Sequence, residues 1–389
     1  MTKKLKKIVF LTGTRADFGK LKSLISLVDA DSSFISDIFI TGMHLQKKYG
    51  LTAHEITDAG FKNIFKFKNL KDDPSMEIIL ANTINGFSHY IKQNKPDLII
   101  IHGDRVEALA GAIVGAINNI LVGHIEGGEV SGTIDESIRH AVSKFSHIHF
   151  TTDMQSKKRL IQLGEKPSNI FILGSPDFDL MRPSKMISLA QAKQYYEIDF
   201  DDYGILLFHP VTTELNQLKK DVKNLVSAVK KSNKDFIVVY PNNDAGSQII
   251  IDEYLANLTS KKFRVFPSLR FEYFLSLLKG SKLIIGNSSC GLREAPFFQV
   301  PTINIGSRQN NRSSLKTIIN VNSDQNKMPE IITKAFNSNK ILNKAHVHSG
   351  KIKSDKKFVQ ILKAKKIWQT SHQKNFHDLS RIIYNKHFK

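Results

Sequence analysis

The chain of 389 residues has one cysteine, Cys290, so it cannot form an internal disulfide. A single cysteine fits a reducing compartment, and we expect a cytoplasmic protein. Long apolar runs are also missing, because no stretch approaches the ~20 apolar residues that a membrane span needs. The run Ile8–Leu11 near the start is too short for the core of a signal peptide. The sequence therefore predicts no membrane insertion and no disulfide scaffold.

Acidic residues are scarce relative to basic ones, and the net charge is +20. Residues 340–389 alone carry twelve Lys and one Arg against two Asp, a net charge of +11. Such a tail could bind a polyanion. The alternative is the solvated face of a Lys-rich helix, because apolar residues recur there near helical spacing: Phe358, Ile361, Leu362 and Ile367. Aromatic-rich RNA-binding signatures and zinc-ligand spacing are absent, so we predict no nucleic-acid partner.

Strand and helix signals alternate along the chain, which predicts an α/β fold with parallel sheets covered by helices. The length favours two domains. Apolar runs typical of strands occur at Ile8–Leu11, Ile38–Ile40, Leu98–Ile101, Ile120–Ile125, His147–Phe150 and Ile170–Leu173. The pattern restarts after Pro176 and Pro183, at Ile205–Phe208, Phe236–Tyr240, Leu283–Ile285 and Thr302–Ile305. We predict two doubly wound, Rossmann-like domains facing across a cleft, at residues 1–180 and 181–365.

Three carboxylates follow strand-like runs or precede a helix in the first half. Asp104 follows Ile99–Ile101, Glu126 follows Ile120–Ile125, and Asp135 stands just before a helix. Active sites of α/β sheets gather at the carboxyl ends of the strands, so these acids are expected to share one crevice. Several acids crowded together are typical of proton transfer.

Two loops have the setting of an anion-binding cradle. Gly13-Thr-Arg15 follows the first strand and opens a helix, so its backbone N–H groups are expected to meet a phosphate. Asn287-Ser-Ser-Cys-Gly291 has the same strand–loop–helix setting, with two hydroxyls and a glycine. Either loop alone is equally typical of a capped turn. One such loop in each half, with Arg15, Arg308 and Arg312 nearby, favours a diphosphate ligand.

Other residues give only weak indications of a metal site or a nucleophile. His140, His147 and His149 could suggest a metal site, but their spacing matches no fixed ligand pattern, and two of them lie on a predicted strand. Cys290 stands beside Ser289, yet no orienting base lies at a recognisable position, so a small buried residue is favoured over a nucleophile. We predict no metal.

Many short motifs in one order resemble the hydrolysing UDP-N-acetylglucosamine 2-epimerases of bacterial sialic acid synthesis, the NeuC or SiaA type. The resemblance covers about residues 7–320 and excludes the basic tail. Its motifs in the first half are Thr12–Lys20, Thr41–Leu45, His102–Arg105, His124–Gly128, Ser131–Thr133, Ser143-Lys144, His147–His149 and Gly174–Asp177. In the second half they are Phe208–Glu214, Tyr240–Asp244, Phe266–Ser268, Arg270–Phe274, Gly286–Ser289 and Arg293–Pro296.

The resemblance implies the two-domain fold of GT-B glycosyltransferases, with a C-terminal helix, residues 366–389, returning to the first domain. It implies Asp104, Glu126 and Asp135 as catalytic acids, a UDP-sugar as substrate and UDP as product. It implies these substrate-binding residues: Arg15 and Lys20 near the diphosphate, His44, Arg139, His209 facing the β-phosphate and sugar, Phe274 on uracil, Ser288 and Ser289 on phosphate, Glu294 on the ribose, and Arg312 on phosphate. No metal or organic cofactor is implied, and we expect a homodimer or homotetramer.

The implied reaction explains why several acids are needed. Similar enzymes expel UDP and remove the C2 proton, which gives 2-acetamidoglucal, and water then adds with inverted stereochemistry at C2 to release N-acetylmannosamine. One carboxylate must accept the C2 proton while another protonates a partner or delivers water. An unperturbed Asp titrates near pH ~4, so the acid form needs burial or a neighbouring like charge. Asp104 or Asp135 is our candidate for the C2 base.

Rival interpretations remain open. A non-hydrolysing 2-epimerase would return UDP-N-acetylmannosamine, but those relatives usually have Gln where this chain has Met43, and a different loop at Gly127–Gly132. A GT-B glycosyltransferase would need an acceptor and leave C2 untouched, and a polyanion-binding protein would rest on the basic tail. Among hydrolysing enzymes, close relatives act on UDP-N,N'-diacetylbacillosamine on the route to legionaminic acid, so the sugar stays open.

Overall fold

The computed structural model describes residues 5–69, 75–309, 315, 317–323, 326–338 and 353–379. Contacts divide the chain into two compact units. The first consists of the described parts of Met1–Val130, Asp135–Arg182 and His348–Lys389, and the second of those of Ser131–Ile134 and Pro183–Val347. The main stretch of the first unit thus ends at Arg182, close to the boundary predicted at residue 180.

The first unit is built on a seven-stranded parallel sheet. Its strands are β1 (Lys6–Thr12), β2 (Phe34–Ile40), β3 (Ile64–Lys66), β4 (Leu98–His102), β5 (Leu121–Ile125), β6 (Ile148–Thr151) and β7 (Ile170–Ile172). Its helices up to residue 180 are α1 (Arg15–Asp29), α2 (Ala53–Asp58), α3 (Met76–Asn94), α4 (Val106–Ile117), α5 (Ile134–Phe145), α6 (Met154–Gln162) and α7 (Asp177–Leu180). The strand order β3-β2-β1-β4-β5-β6-β7 reverses between β1 and β4, so the loops after these strands border the crevice where such sheets bind ligands.

Continuous apolar runs form these strands because both faces of the sheet are covered by helices. Along β1, Ile8 and Phe10 join one hydrophobic cluster, whereas Val9 joins a second cluster with Ile99 of β4. All four side chains are fully buried. The central strands are therefore the rigid base from which the functional loops project.

The second unit repeats the architecture with six parallel strands in the order β10-β9-β8-β11-β12-β13. They are β8 (Gly204–Leu207), β9 (Phe236–Val239), β10 (Phe263–Phe266), β11 (Leu283–Gly286), β12 (Thr302–Ile305) and β13 (Ile318–Val321). The helices are α8 (Leu189–Tyr195), α9 (Leu215–Lys231), α10 (Ser247–Asn257), α11 (Phe271–Gly280), α12 (Glu294–Phe297) and α13 (Met328–Phe336). The prediction of two doubly wound α/β domains is confirmed.

The C-terminal segment returns to the first unit earlier than predicted. Helix α14 (Ser354–Lys363) buries Phe358 and Leu362 completely in the core of that unit. Residues 353–365, which we had assigned to the second domain, therefore belong to the first. A short 3-10 helix, Lys365–Gln369, stands where the returning helix 366–389 was predicted, and residues 380–389 lie outside the described residues. The segment returns early because its apolar residues at helical spacing begin at Phe358, and their burial in the first core holds the helix there.

Beyond α14 the segment is anchored by one lysine. Lys374 Nζ donates to the carbonyl oxygens of Ser143, Lys144 and Ser146 at 2.9, 2.8 and 2.7 Å, which cap the carboxyl end of α5. The same ammonium lies 2.6 Å from Glu165, a buried carboxylate that also accepts a hydrogen bond from His149 at 3.0 Å. This part of the basic tail is thus packed on protein.

Within the described ranges, every helix is too short or too polar to cross a bilayer.

Candidate active site

Carboxylates surround one arginine at the carboxyl edge of the first sheet. Arg139, on α5, is almost fully buried and forms an ion pair with Asp104, which follows β4. Burial opposes the charge of Arg139, but neighbouring carboxylates outweigh it and raise the pKa of the guanidinium. These carboxylates are, from the strongest effect to the weakest, Asp104, Glu129, Glu126 and Asp135. The three predicted catalytic acids therefore lie within electrostatic reach of one cation.

Glu126 is the most constrained of these acids. It follows β5 directly, is 4% exposed and has φ of +66°, a left-handed conformation that costs a non-glycine residue about 1–3 kcal/mol. Lys20 Nζ lies 3.2 Å and His102 Nε2 also 3.2 Å from its carboxylate. The Ser175 hydroxyl lies 3.1 Å from Glu126 Oε1. Strain held in place by several contacts is typical of a functional site.

Asp104 and Asp135 are more open than Glu126. The Asp104 side chain is 28% exposed, and Asp135 lies in the first turn of α5 with intermediate exposure. The backbone of Glu129 also takes part, because its carbonyl oxygen accepts a hydrogen bond from Arg139 at 3.2 Å. An edge with buried and open carboxylates around fixed cations is suited to proton transfer.

The loop Gly13–Arg15 is not the anion cradle that the sequence suggested. The N–H groups of Gly13 and Thr14 both donate to the Asp17 carboxylate at 3.0 Å, and the Thr14 side chain caps α1. Asp17 is also bound by the Thr12 hydroxyl at 2.5 Å. A carboxylate of the chain itself thus occupies the two amides, which makes this prediction wrong. The sequence signal was present, since Thr-x-x-Asp before an apolar run predicts a capping box.

Arg15 lies at the start of α1 and keeps part of its donor capacity. One terminal nitrogen forms an ion pair with Glu55 of α2. Its Nε and Nη1 atoms are buried and meet no hydrogen-bond acceptor among the described residues. A buried guanidinium with spare donors is suited to an anionic ligand.

His44 lies in a short 3-10 helix, Gly42–Leu45, that follows β2. Its ring is fully buried, with Nε2 at 3.0 Å from the Thr12 hydroxyl and Nδ1 at 2.6 Å from the Thr52 hydroxyl. Burial lowers the pKa of its imidazole to about 4. The ring is therefore neutral near pH 7, and its placement gives it a structural part in the loop.

In the second unit, His209 follows β8 and is tied to the loop that follows β11. The His209 N–H donates to Asn287 Oδ1 at 2.7 Å, and Asn287 Nδ2 returns a bond to the His209 carbonyl at 2.8 Å. The N–H of Asn242 donates to His209 Nδ1 at 3.1 Å. Because Nδ1 accepts this bond, the neutral ring carries its proton on Nε2, where it can donate to an acceptor.

The loop after β11 presents two half-buried hydroxyls. Ser288 precedes a 3-10 helix, Ser289–Gly291, and its oxygen caps this turn at Cys290. The Cys290 thiol donates to the same oxygen at 3.1 Å, and burial raises the pKa of the thiol to about 12. Cys290 is therefore a small buried residue as predicted, and a poor nucleophile. Glu294 opens α12 and is 3% exposed.

Three further residues of the second unit were singled out from the sequence: Phe274, Arg308 and Arg312. Phe274 lies on α11, 8% exposed, with its ring stacked near Phe271. Arg308 donates to the Asn287 carbonyl at 3.2 Å. Arg312 lies outside the described residues.

The histidines considered for a metal have other partners. His147 Nδ1 accepts from the N–H of Val122 at 3.1 Å, and its Nε2 lies 3.0 Å from the carbonyl oxygen of His372. His149 is bound to Glu165, and His140 lies 3.5 Å from Glu136. In the part of the chain that the structure describes, no group of three or more His, Cys, Asp or Glu side chains has the arrangement of a metal site.

Sequence reasoning missed three residues of the acidic edge. His102 and Ser175 contact Glu126, and Asp177 contacts both Lys20 and Ser175. His102 stands two residues before Asp104 and Ser175–Asp177 belongs to a motif of the resemblance, yet neither was given a role. Ser175 and Asp177 lie in the loop after a strand, and that position could have indicated a place at the same edge of the sheet.

Comparison with known proteins identifies relatives for nearly the whole chain. The model of a family described as UDP-N-acetylglucosamine 2-epimerase matches residues 27–363. A protein of Neisseria meningitidis serogroup B named UDP-N-acetylglucosamine 2-epimerase is 43% identical over 97% of this chain and 100% of its own length. A Legionella pneumophila protein named UDP-N,N'-diacetylbacillosamine 2-epimerase (hydrolyzing) is 34% identical over 87% of this chain and 90% of its own.

A solved structure shares the fold. The Methanocaldococcus jannaschii UDP-GlcNAc 2-epimerase, in complex with UDP-GlcNAc and UDP, superposes with a TM-score of 0.75 at 20% identity, covering 92% of this chain and 99% of that one. At this level of identity the likeness supports the architecture of two doubly wound units.

Proposed function

Because the chain belongs to the UDP-N-acetylglucosamine 2-epimerase family, we propose that it is a hydrolysing 2-epimerase, which converts UDP-N-acetylglucosamine and water into N-acetylmannosamine and UDP. The product would enter sialic acid or surface polysaccharide synthesis. The name of the Legionella relative, which includes the word hydrolyzing, supports the hydrolytic outcome.

The observation that carries the proposal is the group of carboxylates around the buried Arg139: Asp104 forms an ion pair with it, and Glu126 and Asp135 help to raise the pKa of its guanidinium. Elimination followed by hydration needs a proton acceptor, a proton donor and a means of directing water. Several carboxylates in different environments, one buried and two more open, can divide these tasks.

The order of events follows from the weak acidity of the C2–H bond. A carboxylate alone cannot remove this proton from the ground-state sugar, so departure of UDP must run ahead and build positive charge at the anomeric carbon. Cationic and hydrogen-bonding groups on the diphosphate make that departure feasible. An ionised carboxylate then takes the C2 proton. A protonated carboxyl returns a proton to C2 from the opposite face as water adds to C1, and the proton that water loses passes to an ionised carboxylate.

We propose phosphate donors in each unit, taken by itself. Arg15 of the first unit offers Nε and Nη1, and His209 of the second offers Nε2–H. Ser288 and Ser289 offer hydroxyls and Arg312 a further cation, while Glu294 would hold the ribose and Phe274 the uracil. Lys20 is shared, because in this structure it pairs with Glu126. Several donors on the diphosphate stabilise the negative charge that develops on it as it leaves, which makes its departure easier.

A second substrate deserves a direct test. The relative at 34% identity is named for UDP-N,N'-diacetylbacillosamine, whereas the relative at 43% identity is named for UDP-N-acetylglucosamine. The greater identity favours UDP-N-acetylglucosamine as the substrate. Both would undergo the same elimination and hydration, since they differ away from C1 and C2.

The purified chain should be incubated with each UDP-sugar and the products followed by proton NMR. The proposal expects N-acetylmannosamine and UDP from UDP-N-acetylglucosamine. Accumulation of UDP-N-acetylmannosamine would instead establish a non-hydrolysing epimerase, and turnover of the diacetylated sugar alone would change the substrate. Release of UDP only in the presence of an added sugar acceptor would indicate a glycosyltransferase.

A further inference from the structure

A buried carboxylate that was not among the predicted catalytic acids shares two partners with Glu126. Asp177 is the first residue of α7, in the loop after β7, and it is 1% exposed. Its Oδ2 atom lies 3.2 Å from Lys20 Nζ, the ammonium that also lies 3.2 Å from Glu126. Lys20 therefore bridges two carboxylates, and the position of its ammonium depends on both.

Ser175 connects the same two carboxylates. Its Oγ atom lies 3.1 Å from Glu126 Oε1 and 3.0 Å from Asp177 Oδ2. A hydroxyl has one proton, and an ionised carboxylate can only accept, so Ser175 can serve one of them at a time. A proton on either carboxyl resolves this conflict, because the protonated group then donates to the hydroxyl, which donates to the other. The direction of the Ser175 hydroxyl is thus coupled to the charge on both acids.

We propose that Asp177, acting through Lys20 and Ser175, is a positioning residue for the epimerase reaction, which keeps the Glu126 carboxylate in its productive place and charge state. This inference rests on the function proposed above. Glu126 needs such support because its backbone has φ of +66°. Lys20 from α1, His102 from β4 and Ser175 contact its carboxylate, and Arg139 from α5 acts on it from further away.

The loop offers a matched control two residues further on. Asp179 is also fully buried on α7, but its carboxylate accepts from the N–H of Asp355 at 2.9 Å and pairs with Arg182. It therefore holds the start of α14. Asp177→Asn and Asp179→Asn remove the same charge from the same short helix, one facing the acidic edge and the other facing the C-terminal helix.

The test compares the parent enzyme with Asp177→Asn, Ser175→Ala and Asp179→Asn. A displacement of a reacting group by about 1 Å costs on the order of 10²-fold in rate, so we expect kcat of the first two variants to fall by about 10- to 10²-fold. The loss of kcat should exceed any loss of UDP affinity, because Lys20 is only one of several proposed phosphate donors. Asp179→Asn should lower the thermal midpoint and leave kcat within about threefold.

The pH profile separates positioning from simple stability. Asp177→Asn removes a negative charge close to Glu126, which favours its ionised form, so the limb of the kcat/KM profile that Glu126 governs should move to lower pH. Ser175→Ala removes no charge and should shift that limb less, and Asp179→Asn should leave it unchanged.

Parental kcat and pH profile in folded Asp177→Asn would overturn the inference, as would equal profiles for Asp177→Asn and Asp179→Asn. If Asp177→Asn does not fold, Ser175→Ala becomes the test, and a parental kcat in Ser175→Ala would overturn the inference. A parent enzyme without turnover overturns the proposed function and this inference together, whereas an active parent with unaltered variants overturns this inference alone.

Discussion

The two units share a doubly wound topology, yet the carboxyl edges of their sheets carry different chemistry. In the first unit the edge is charged: Glu126 and Asp104 are held by Lys20 and Arg139. In the second, His209 and Asn287 exchange two hydrogen bonds between the loops that follow β8 and β11, and Arg308 donates to the Asn287 carbonyl. On the proposed function, the same backbone plan carries proton transfer in the first unit and phosphate binding in the second, through residues of the loops.

The largest expected effect is on the charged edge. Replacing Glu126 by Gln keeps the shape but removes the ionisable group, so kcat should fall by about 10²-fold or more. Asp104→Asn and Asp135→Asn should have comparable effects, and UDP affinity measured by calorimetry should be retained in all three.

The neighbouring acid Glu136 provides the control for these variants. It lies beside Asp135 on α5, and its carboxylate lies 3.5 Å from His140. Glu136→Gln should stay within a few-fold of the parental kcat. If the three acid variants did the same, the catalytic assignment would be wrong.

The loops of the second unit should respond in the opposite way. Ser288→Ala combined with Ser289→Ala removes hydroxyl donors to a charged phosphate, each worth about 1.5–3 kcal/mol. UDP affinity should therefore weaken about 10²-fold or more, with a rise in KM and a smaller change in kcat at saturation. Calorimetric titration with UDP measures this directly, and unaltered affinity would remove the phosphate-binding role of this loop.

The smallest expected effect is on the stability of the first unit in acid, and it depends on Glu165. Burial opposes the charge of Glu165, but the hydrogen bond from His149 and the ammonium of Lys374 outweigh it and lower its pKa to about 2. A depressed carboxyl pKa stabilises the folded state above the unfolded value near ~4.3, and this contribution is lost as pH falls toward 2.

Glu165→Gln should accordingly lower the thermal midpoint by several degrees at pH 7, and the deficit should shrink as pH falls below ~4.5. Calorimetric scans of parent and variant across this range give the comparison. A deficit that is independent of pH would show that the buried carboxylate does not stabilise the fold through its charge.

Much of the fold could be predicted from the sequence, because buried parallel strands are apolar runs with few alternatives. The run Ile8–Leu11 is the centre of β1, and Ile205–Phe208 contains most of β8. The start of α1 at Arg15 is set by the capping box of Thr14 and Asp17. Local hydrogen bonding thus fixes an element boundary that hydrophobic periodicity cannot locate.

The site was predictable only where strand ends mark it. Asp104 and Glu126 follow strands that are neighbours in the sheet, so their proximity follows from topology. Asp177 follows β7, two strands away from β5, and its contact with Lys20 depends on the path of a loop. Lys374 contacts the end of α5 over some 230 residues of sequence, and no periodicity encodes that contact.

The elimination at C2 is the central claim, and the isotope content of the product tests it most directly. The purified enzyme should convert UDP-N-acetylglucosamine in D₂O, and the released sugar should be examined by NMR and mass spectrometry. The proposed mechanism predicts N-acetylmannosamine with one deuterium at C2, because the carbon loses its proton and regains one from solvent-exchanged acids. N-acetylmannosamine that retains hydrogen at C2 would contradict elimination and re-addition.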